Sequence, residues 1–479
     1  MKRTKKILLF SILLAFTMST PFIFTVFGNV KTSQTTVIKF WYTENDVEKP
    51  TLLEKVARFE AQNPDVDVQA EQHGFFGVES EYTTAFVAGQ EPQVLRSPRD
   101  GVPVFAENGM IAPLTAEFTT ADLADFLPAS IKLMTYKGDI WGFPQAIDCP
   151  MFLYNKHLFE VAGFNTTLLN FTTSWTWAQF NTNIAIVNAS TSAYALSLAG
   201  MFFGAQPYYY GQGGYFLETA TNPVYDTAHI AINTTVSRTA LLFLKNLVAS
   251  SLTPPWTLQG WANFVGDFSQ GNVAMIATGP WEILNLLSNA PQFNGTAYGN
   301  DNLGFMQVPH DMSGHRGALV GGNYYVVSSQ TTADEYDAAV RLAKFLSNEK
   351  MMALSAIQDY HIPARLSVMD NASVKAASSF QYIQPYFEQA VNAYLLTPSP
   401  YYGPMENALG GRLDEYLAGS ITLDGGDGLI NKTIADWREI LPGPPVASPP
   451  IPGFPTTVLF VALFIGVSVV VWYIIKKKK

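Results

Sequence analysis

Cysteine is almost missing from this chain: Cys149 stands alone among 479 residues. No internal disulfide can form, so cysteine usage is silent on the redox compartment. Nor does a Cys follow the N-terminal apolar run, where a lipoprotein anchor needs one. Charge is scarce too, at 14% of residues against 48% hydrophobic and 13% aromatic. That balance is too apolar for a disordered chain and too interrupted by polar residues for a multi-span membrane protein. Catalytic signatures are absent: there is no G-x-S-x-G, H-E-x-x-H, P-loop or G-x-G-x-x-G. Leu423 to Gly428 (LDGGDG) lacks the ligand spacing and the distal Glu of a calcium loop. His310 and His315 share a loop and read as surface rather than as a metal pair. No metal, cofactor or catalytic residue is called for, and Cys149, with no His near it in sequence, reads as an inert buried thiol.

The charge that exists is unevenly placed. Residues 1–29 and 456–479 hold eight of the 29 Lys and Arg and no Asp or Glu, which leaves 21 basic against 39 acidic residues in the body. A body at net −18 repels polyanions, so nucleic acid is excluded as a partner. The basic, then apolar opening (residues 1–30) has the form of a signal peptide or an uncleaved N-terminal anchor. At the other end Thr456 to Ile475 carries no charge and, at 1.5 Å per residue, spans about 30 Å as a transmembrane helix. Trp472 and Tyr473 fall at its interfacial end, and Lys476 to Lys479 form a cytoplasmic basic tail. The Pro-rich stretch 441–455 is a semi-rigid spacer. The body is therefore expected outside the cell, on a single-pass anchor. Seven N-x-S/T sequons, at Asn165, Asn170, Asn188, Asn233, Asn294, Asn371 and Asn431, fit an exported glycoprotein.

Within the body, Thr35 to Thr43 reads as a strand, and Thr51 to Gln62 as a helix with Leu52, Leu53, Val56 and Phe59 on one face. VDVQAEQ then reads as a strand and Ser80 to Ala88 as a helix. Later come strands at NVAMIAT and ALVGGNYYVVSS and helices at Trp281 to Ser288 and Ala333 to Leu346. The alternation predicts an α/β body with mainly parallel sheets. The stretch Asn165 to Gly214 carries no clear period.

Five segments, in order, carry a family resemblance: ENGMIAPLT (Glu107 to Thr115), the stretch Tyr136 to Gly163, WTWAQF (Trp175 to Phe180), FSQGNVAMIATGPWEI (Phe268 to Ile283) and ALVGGNYYVV (Ala318 to Val327). Together with the A-x-F-L helix at Ala343 to Leu346 they resemble the extracellular solute-binding proteins of ABC importers, of the maltose/maltodextrin-binding type. The resemblance implies a two-lobed periplasmic-binding-protein fold of the class II type. Residues 36–147 and 323–368 would form lobe 1, and residues 150–321 and 369–440 lobe 2. Crossovers near Ile147–Pro150 and Gly321–Tyr324 would let the lobes close on a ligand by a hinge motion. It also implies a monomer that delivers a sugar, most simply an oligosaccharide, to membrane permease subunits.

A neutral sugar needs aromatic platforms plus carboxylates and amides. The resemblance places a stacking Trp at Trp281, and acidic sugar-binding residues at Asp148 and Asp100. It departs from the maltose pattern at Ser97 and Gly101, where a Trp and an Arg are expected, so maltose itself is not implied. Trp41, Tyr42, Thr43 and Glu44 close the first strand, where α/β sheets receive ligands, although alternation sends about half of them into the core. Phe202 and Phe203, or alternatively Tyr208 to Tyr210, occupy the mid-lobe aromatic region. Tyr401, Tyr402, Met405 and Glu406 are the candidates from the C-terminal part. Tyr324-Tyr325 alternates along a strand, so one of the pair is expected in the core. Two other classes remain open: a surface sensor or adhesin of the same fold, and a glycoside hydrolase using a carboxylate pair.

Overall fold

The computed structural model describes residues 35–442 apart from short stretches at 201, 218–224, 257–259, 300, 311–316, 392, 394 and 396–397. The chain opens with β1 (Thr36–Tyr42), the helix Lys49–Gln62 and β2 (Val66–Gln72). The helix Val78–Ala88 and β3 (Val94–Pro98) follow, as the alternation predicts. Two short strands, β4 (Thr135–Tyr136) and β5 (Asp139–Ile140), pair with each other before β6 (Phe143–Asp148) and β7 (Met151–Asn155). The remaining strands are β8 (Met275–Thr278), β9 (Leu303–Met306) and β10 (Gly321–Val327).

Two main sheets result. The larger has the order β2-β1-β3-β10-β6, and the smaller β8-β7-β9. In the larger, β1 lies parallel to β2 and β3, while β10 runs antiparallel to both β3 and β6. Four of its strands thus point one way, with β10 inserted against them from later in the chain. The smaller sheet is antiparallel in both pairings. The expectation of mainly parallel sheets therefore fails there, because β7 is paired with strands that return from distant sequence rather than through a single crossover helix. Between Asp148 and Met151 the chain passes from one sheet to the other, with only Cys149 and Pro150 in between. It passes back between Met306 and Gly321.

Burial follows the strand period. Ile38, Phe40 and Tyr42 of β1 face a core with Val66, Val94, Tyr325 and the helix Ala333–Leu346. That helix begins with a capping box between Thr332 and Glu335, which fixes its start where the apolar period begins. In the helix Lys49–Gln62, Leu52, Val56 and Phe59 are buried as expected. Leu53 is not: it is 41% exposed, and Lys55 turns inward instead, with Nζ 2.7 Å from Ser355 Oγ. The unassigned middle contains two helices, Trp177–Ser190 and Phe202–Gly211. The second is buried nearly all round and carries Pro207, so no amphipathic stripe marks it. Tyr324 and Tyr325 are both fully buried, on opposite sides of β10, so both members of the pair, and not one alone, belong to the core.

Among the described residues no helix is long and apolar enough to cross a membrane. The expected leader (1–30), most of the spacer and the span Thr456 to Ile475 lie outside the described residues.

Candidate functional site

The carboxyl ends of β1, β3 and β6 share one edge of the larger sheet, and β10 starts there. Ligands of open α/β sheets bind at such an edge. Asp148 ends β6 directly opposite Gly321. A Cβ at Gly321 would stand 2.0 Å from Asp148 Oδ1, so only glycine leaves room for that carboxylate. Arg99 leaves β3, donates from Nη1 to Val320 O at 2.9 Å, and pairs with Asp100 at 3.3 Å. Asp100 sits at the N-cap of the helix Gly101–Glu107 but makes no capping hydrogen bond. Its carboxylate serves Arg99.

The helix Tyr402–Leu417 meets this group from the other side. A Cβ at Gly403 would lie 3.8 Å from the Asp100 side chain, and the Arg99 guanidinium stands 5.5 Å over the Tyr402 ring. Tyr402 is largely buried, at 4% exposed, and meets the group only at the wall of the small cavity there; it is held by a 3.1 Å hydrogen bond between its hydroxyl and that of Tyr210, and by stacking on Phe216 at 5.4 Å. Gln206 Nε2 donates to Glu406 Oε1 at 2.6 Å. A small cavity between Arg99, Asp100, Pro103, Leu133, Ser399 and Tyr402 marks the seam. Asp148, Asp100, Tyr402 and Glu406 are thus brought together around Arg99. Burial pushes the Asp148 carboxyl up to about 6 against the pull of Arg99 and Arg96. Burial and the Asp100 charge push Glu406 up to about 7, against Arg99 and Gln206. Both carboxyls keep part of their surface in contact with solvent.

Trp281 lies in a second group. It sits in a single 3₁₀ turn, Pro280–Glu282, ahead of the helix Ile283–Asn289. Its half-buried ring lies against Gly279, where a Cβ would come within 1.9 Å. Phe203 stands 5.8 Å from Trp281 and 5.9 Å from Trp261, and all three rings keep an exposed part.

The first-strand candidates divide. Tyr42 is 2% exposed and packs on Phe40, so it belongs to the core rather than to a cleft. Trp41 is half-buried, and its ring partner is His73 at 3.9 Å. Glu44 is buried against Arg96 at 3.3 Å, and Thr43 accepts a hydrogen bond from the same guanidinium. They join a buried polar network: Arg96 reaches Gln145 at 3.3 Å, Gln145 reaches His361 at 3.2 Å, and His361 pairs with Glu48 at 2.9 Å. Burial opposes the charge on His361, but Glu48 outweighs it and holds the imidazolium above its ordinary pKa.

Of the alternatives in the middle, Phe203 reaches the aromatic group, whereas Phe202 and Tyr208 to Tyr210 are buried. Met405 is fully buried, with Trp437 bonded to its carbonyl, and Tyr401 is half-buried near Tyr225. Ser97 and Gly101 pack on each other, since a Cβ at 101 would lie 2.7 Å from Ser97 Oγ. That contact explains why neither position carries a large side chain. Cys149 is buried, and burial raises its thiol well above the ordinary value. His310 bonds Ser174 at 2.8 Å, and among the described residues no group of three His, Cys, Asp or Glu stands ready for a metal. Sequence reasoning missed Arg99, Gln206 and Trp261. The sequence signal for Arg99 was its place beside Asp100; the other two carried none.

A family model for the bacterial extracellular solute-binding protein matches residues 54–381. The chain belongs to that family. This solute-binding protein is 25% identical over 332 residues to the galactooligosaccharide-binding protein of Bacillus subtilis, covering 69% of this chain and 73% of that one. It is 22% identical over 384 residues to the maltotriose-binding protein of Pyrococcus abyssi, covering 79% and 77%. In structure it resembles the GacH receptor of Streptomyces glaucescens, described unliganded and with acarbose, at TM-score 0.74 and 25% identity over 85% of this chain and 98% of that one. It shares the fold of a maltose-bound T. maritima binding protein at TM-score 0.70 and 20% identity, over 84% and 98%. The solute-binding protein thus has the two-lobed α/β fold of these receptors, and the two sequence relatives are named as binding proteins.

Proposed function

We propose that this protein is the extracellular substrate-binding component of an ABC importer and captures a neutral oligosaccharide between two hinged lobes. Lobe 1 comprises residues 36–147 and 323–368, and lobe 2 residues 150–321 and 369–440. The observation that carries the reading is the convergence of Asp148, Asp100 and Arg99 from the larger sheet with Tyr402 and Glu406 from the helix Tyr402–Leu417. Carboxylates and a guanidinium beside aromatic rings match a ligand that offers hydroxyls and apolar C–H faces. Trp281 and Phe203 supply stacking surfaces on the lobe 2 side. The sugars named for the relatives and fold neighbours support the same class.

Closure on the sugar shifts an open–closed equilibrium, and the permease engages the closed, loaded form. The protein works as a monomer, held at the cell membrane by Thr456 to Ile475 with its body outside. Calorimetric titration with neutral oligosaccharides, amino acids and polyamines tests the assignment. Saturable binding of the sugars alone supports it, and binding of only a charged solute overturns it.

A further inference from the structure

The cleft does not absorb every feature of lobe 2. Beyond Trp281 a cavity of about 410 Å³ opens between the helices Trp261–Gln270 and Ile283–Asn289. That volume lies in the range of small-molecule sites. Trp261 forms one wall, and Glu282, the residue after Trp281, forms another. Glu282 is only 8% exposed and takes hydrogen bonds from Asn285 and Trp261, which fix its carboxylate at the cavity wall. Asn289 and Ser269 add further donors and acceptors, and Val265 and Ala290 give an apolar floor.

Chemically the cavity repeats what the cleft offers: an indole, a buried carboxylate, amides, a hydroxyl and a patch of aliphatic surface. No basic residue lines it, so an anionic ligand finds no counter-charge. One of its walls, Trp261, also touches the aromatics assigned to the cleft. Trp261 contacts Phe203 at 5.9 Å, and Phe203 contacts Trp281 at 5.8 Å, so three partly exposed rings lead from the stacking position to the cavity mouth.

The geometry points to an accessory subsite for one further neutral sugar ring of the same chain, placed between the two helices beyond Trp281, with Glu282 and Asn285 accepting and donating to its hydroxyls. This inference rests on the proposed oligosaccharide function and adds to it a selection for chain length. A ligand long enough to reach past Trp281 gains the contacts of the cavity, and a shorter one does not.

Gly266 gives a clean test. It lines the cavity inside the helix Trp261–Gln270, and a Cβ there meets nothing within 4 Å. Gly266→Leu therefore starts from open space at its Cβ and puts its isobutyl group at the cavity wall, and replacing a mid-helix glycine favours the helix. The full chain, in a detergent without a sugar headgroup, is titrated with a ladder of linear oligosaccharides from two to seven units. The parent is expected to gain about tenfold in affinity at one step of the ladder. Gly266→Leu is expected to lose that step while binding the shorter members within about twofold of the parent. Glu282→Gln, which keeps shape and loses charge, is expected to reduce the same step several-fold. Ladders that coincide for parent and both variants overturn the subsite and leave the sugar assignment standing. A parent that binds no member of the ladder overturns both.

Discussion

Asp148 and Glu406 are held above the ordinary carboxyl range chiefly by burial, at about 6 and about 7, and this gives the protein's pH response a sign. An acid whose folded pKa exceeds its unfolded value binds more protons when folded. Its stabilising contribution is fully present below about pH 4 and is lost as pH rises through 6 to 7. The His361 imidazolium, favoured by Glu48, acts in the same direction. Carboxyls held low, such as Asp65 by Arg341 and Glu107 by Lys137, act oppositely, but only as pH falls below their ordinary range. The unliganded protein is therefore expected to gain Tm between pH 8 and pH 5. Glu406→Gln, neutral throughout, should flatten that gain by on the order of 1 kcal/mol, since solvent still reaches the group. An unchanged slope in a thermal scan would remove Glu406 from this role. Trp281→Ala is expected to weaken sugar binding by roughly 2–4 kcal/mol, or about 30- to 1,000-fold, while moving the apo Tm little. Unchanged affinity with a large loss of apo stability would make the indole a core residue. At this scale the sequence was half legible. Asp148, Asp100, Tyr402 and Glu406 meet because each stands beside a recognisable strand end or helix start. Tyr42 and Met405 turn inward because burial is decided by packing partners distant in sequence.

The periodic elements were readable and the buried ones were not. Ala333–Leu346 runs over the residues its apolar spacing predicts, because one face meets the sheet and a capping box marks the start. Phe202–Gly211 hides its character because it is buried on every side. The antiparallel pairing of β7 with β8 and β9 joins segments more than a hundred residues apart, beyond the reach of local pattern. At the start of β10 the fold is sensitive to a single methyl group. Gly321→Ala must displace the Asp148 carboxylate or open the β6–β10 pair, at a cost of about 1–3 kcal/mol in stability and at least tenfold in affinity. The same substitution at Gly411, where a Cβ meets nothing within 4 Å in the helix Tyr402–Leu417, is expected to stabilise by about 0.5–1 kcal/mol. Equal effects at the two positions, measured by chemical denaturation, would contradict this packing.

For the molecule as a whole, the chain crosses between its sheets through two residues at Cys149–Pro150 and returns before Gly321. The two-residue crossing is the place where the proposed hinge closure would act. Three of the family segments carry sheet strands, Tyr136 to Gly163 with β6 and β7, Phe268 to Ile283 with β8 and Ala318 to Val327 with β10, while Trp175 to Phe180 opens a helix and Glu107 to Thr115 is mostly loop. The anchoring, in contrast, rests on composition. If the N-terminal segment is a cleaved leader, deleting residues 456–479 is expected to release the body into the medium, and retention through a carbonate wash would assign the anchor to the N-terminus. The central claim is capture of a neutral oligosaccharide without turnover, and one titration addresses it. Intrinsic tryptophan fluorescence of the full chain is followed against linear oligosaccharides, and the same samples are assayed for new reducing ends. The account predicts a saturable fluorescence change, lost in Trp281→Ala, with no reducing ends formed. Turnover that disappears in Asp100→Asn or Asp148→Asn, or no response to any neutral sugar, would contradict it.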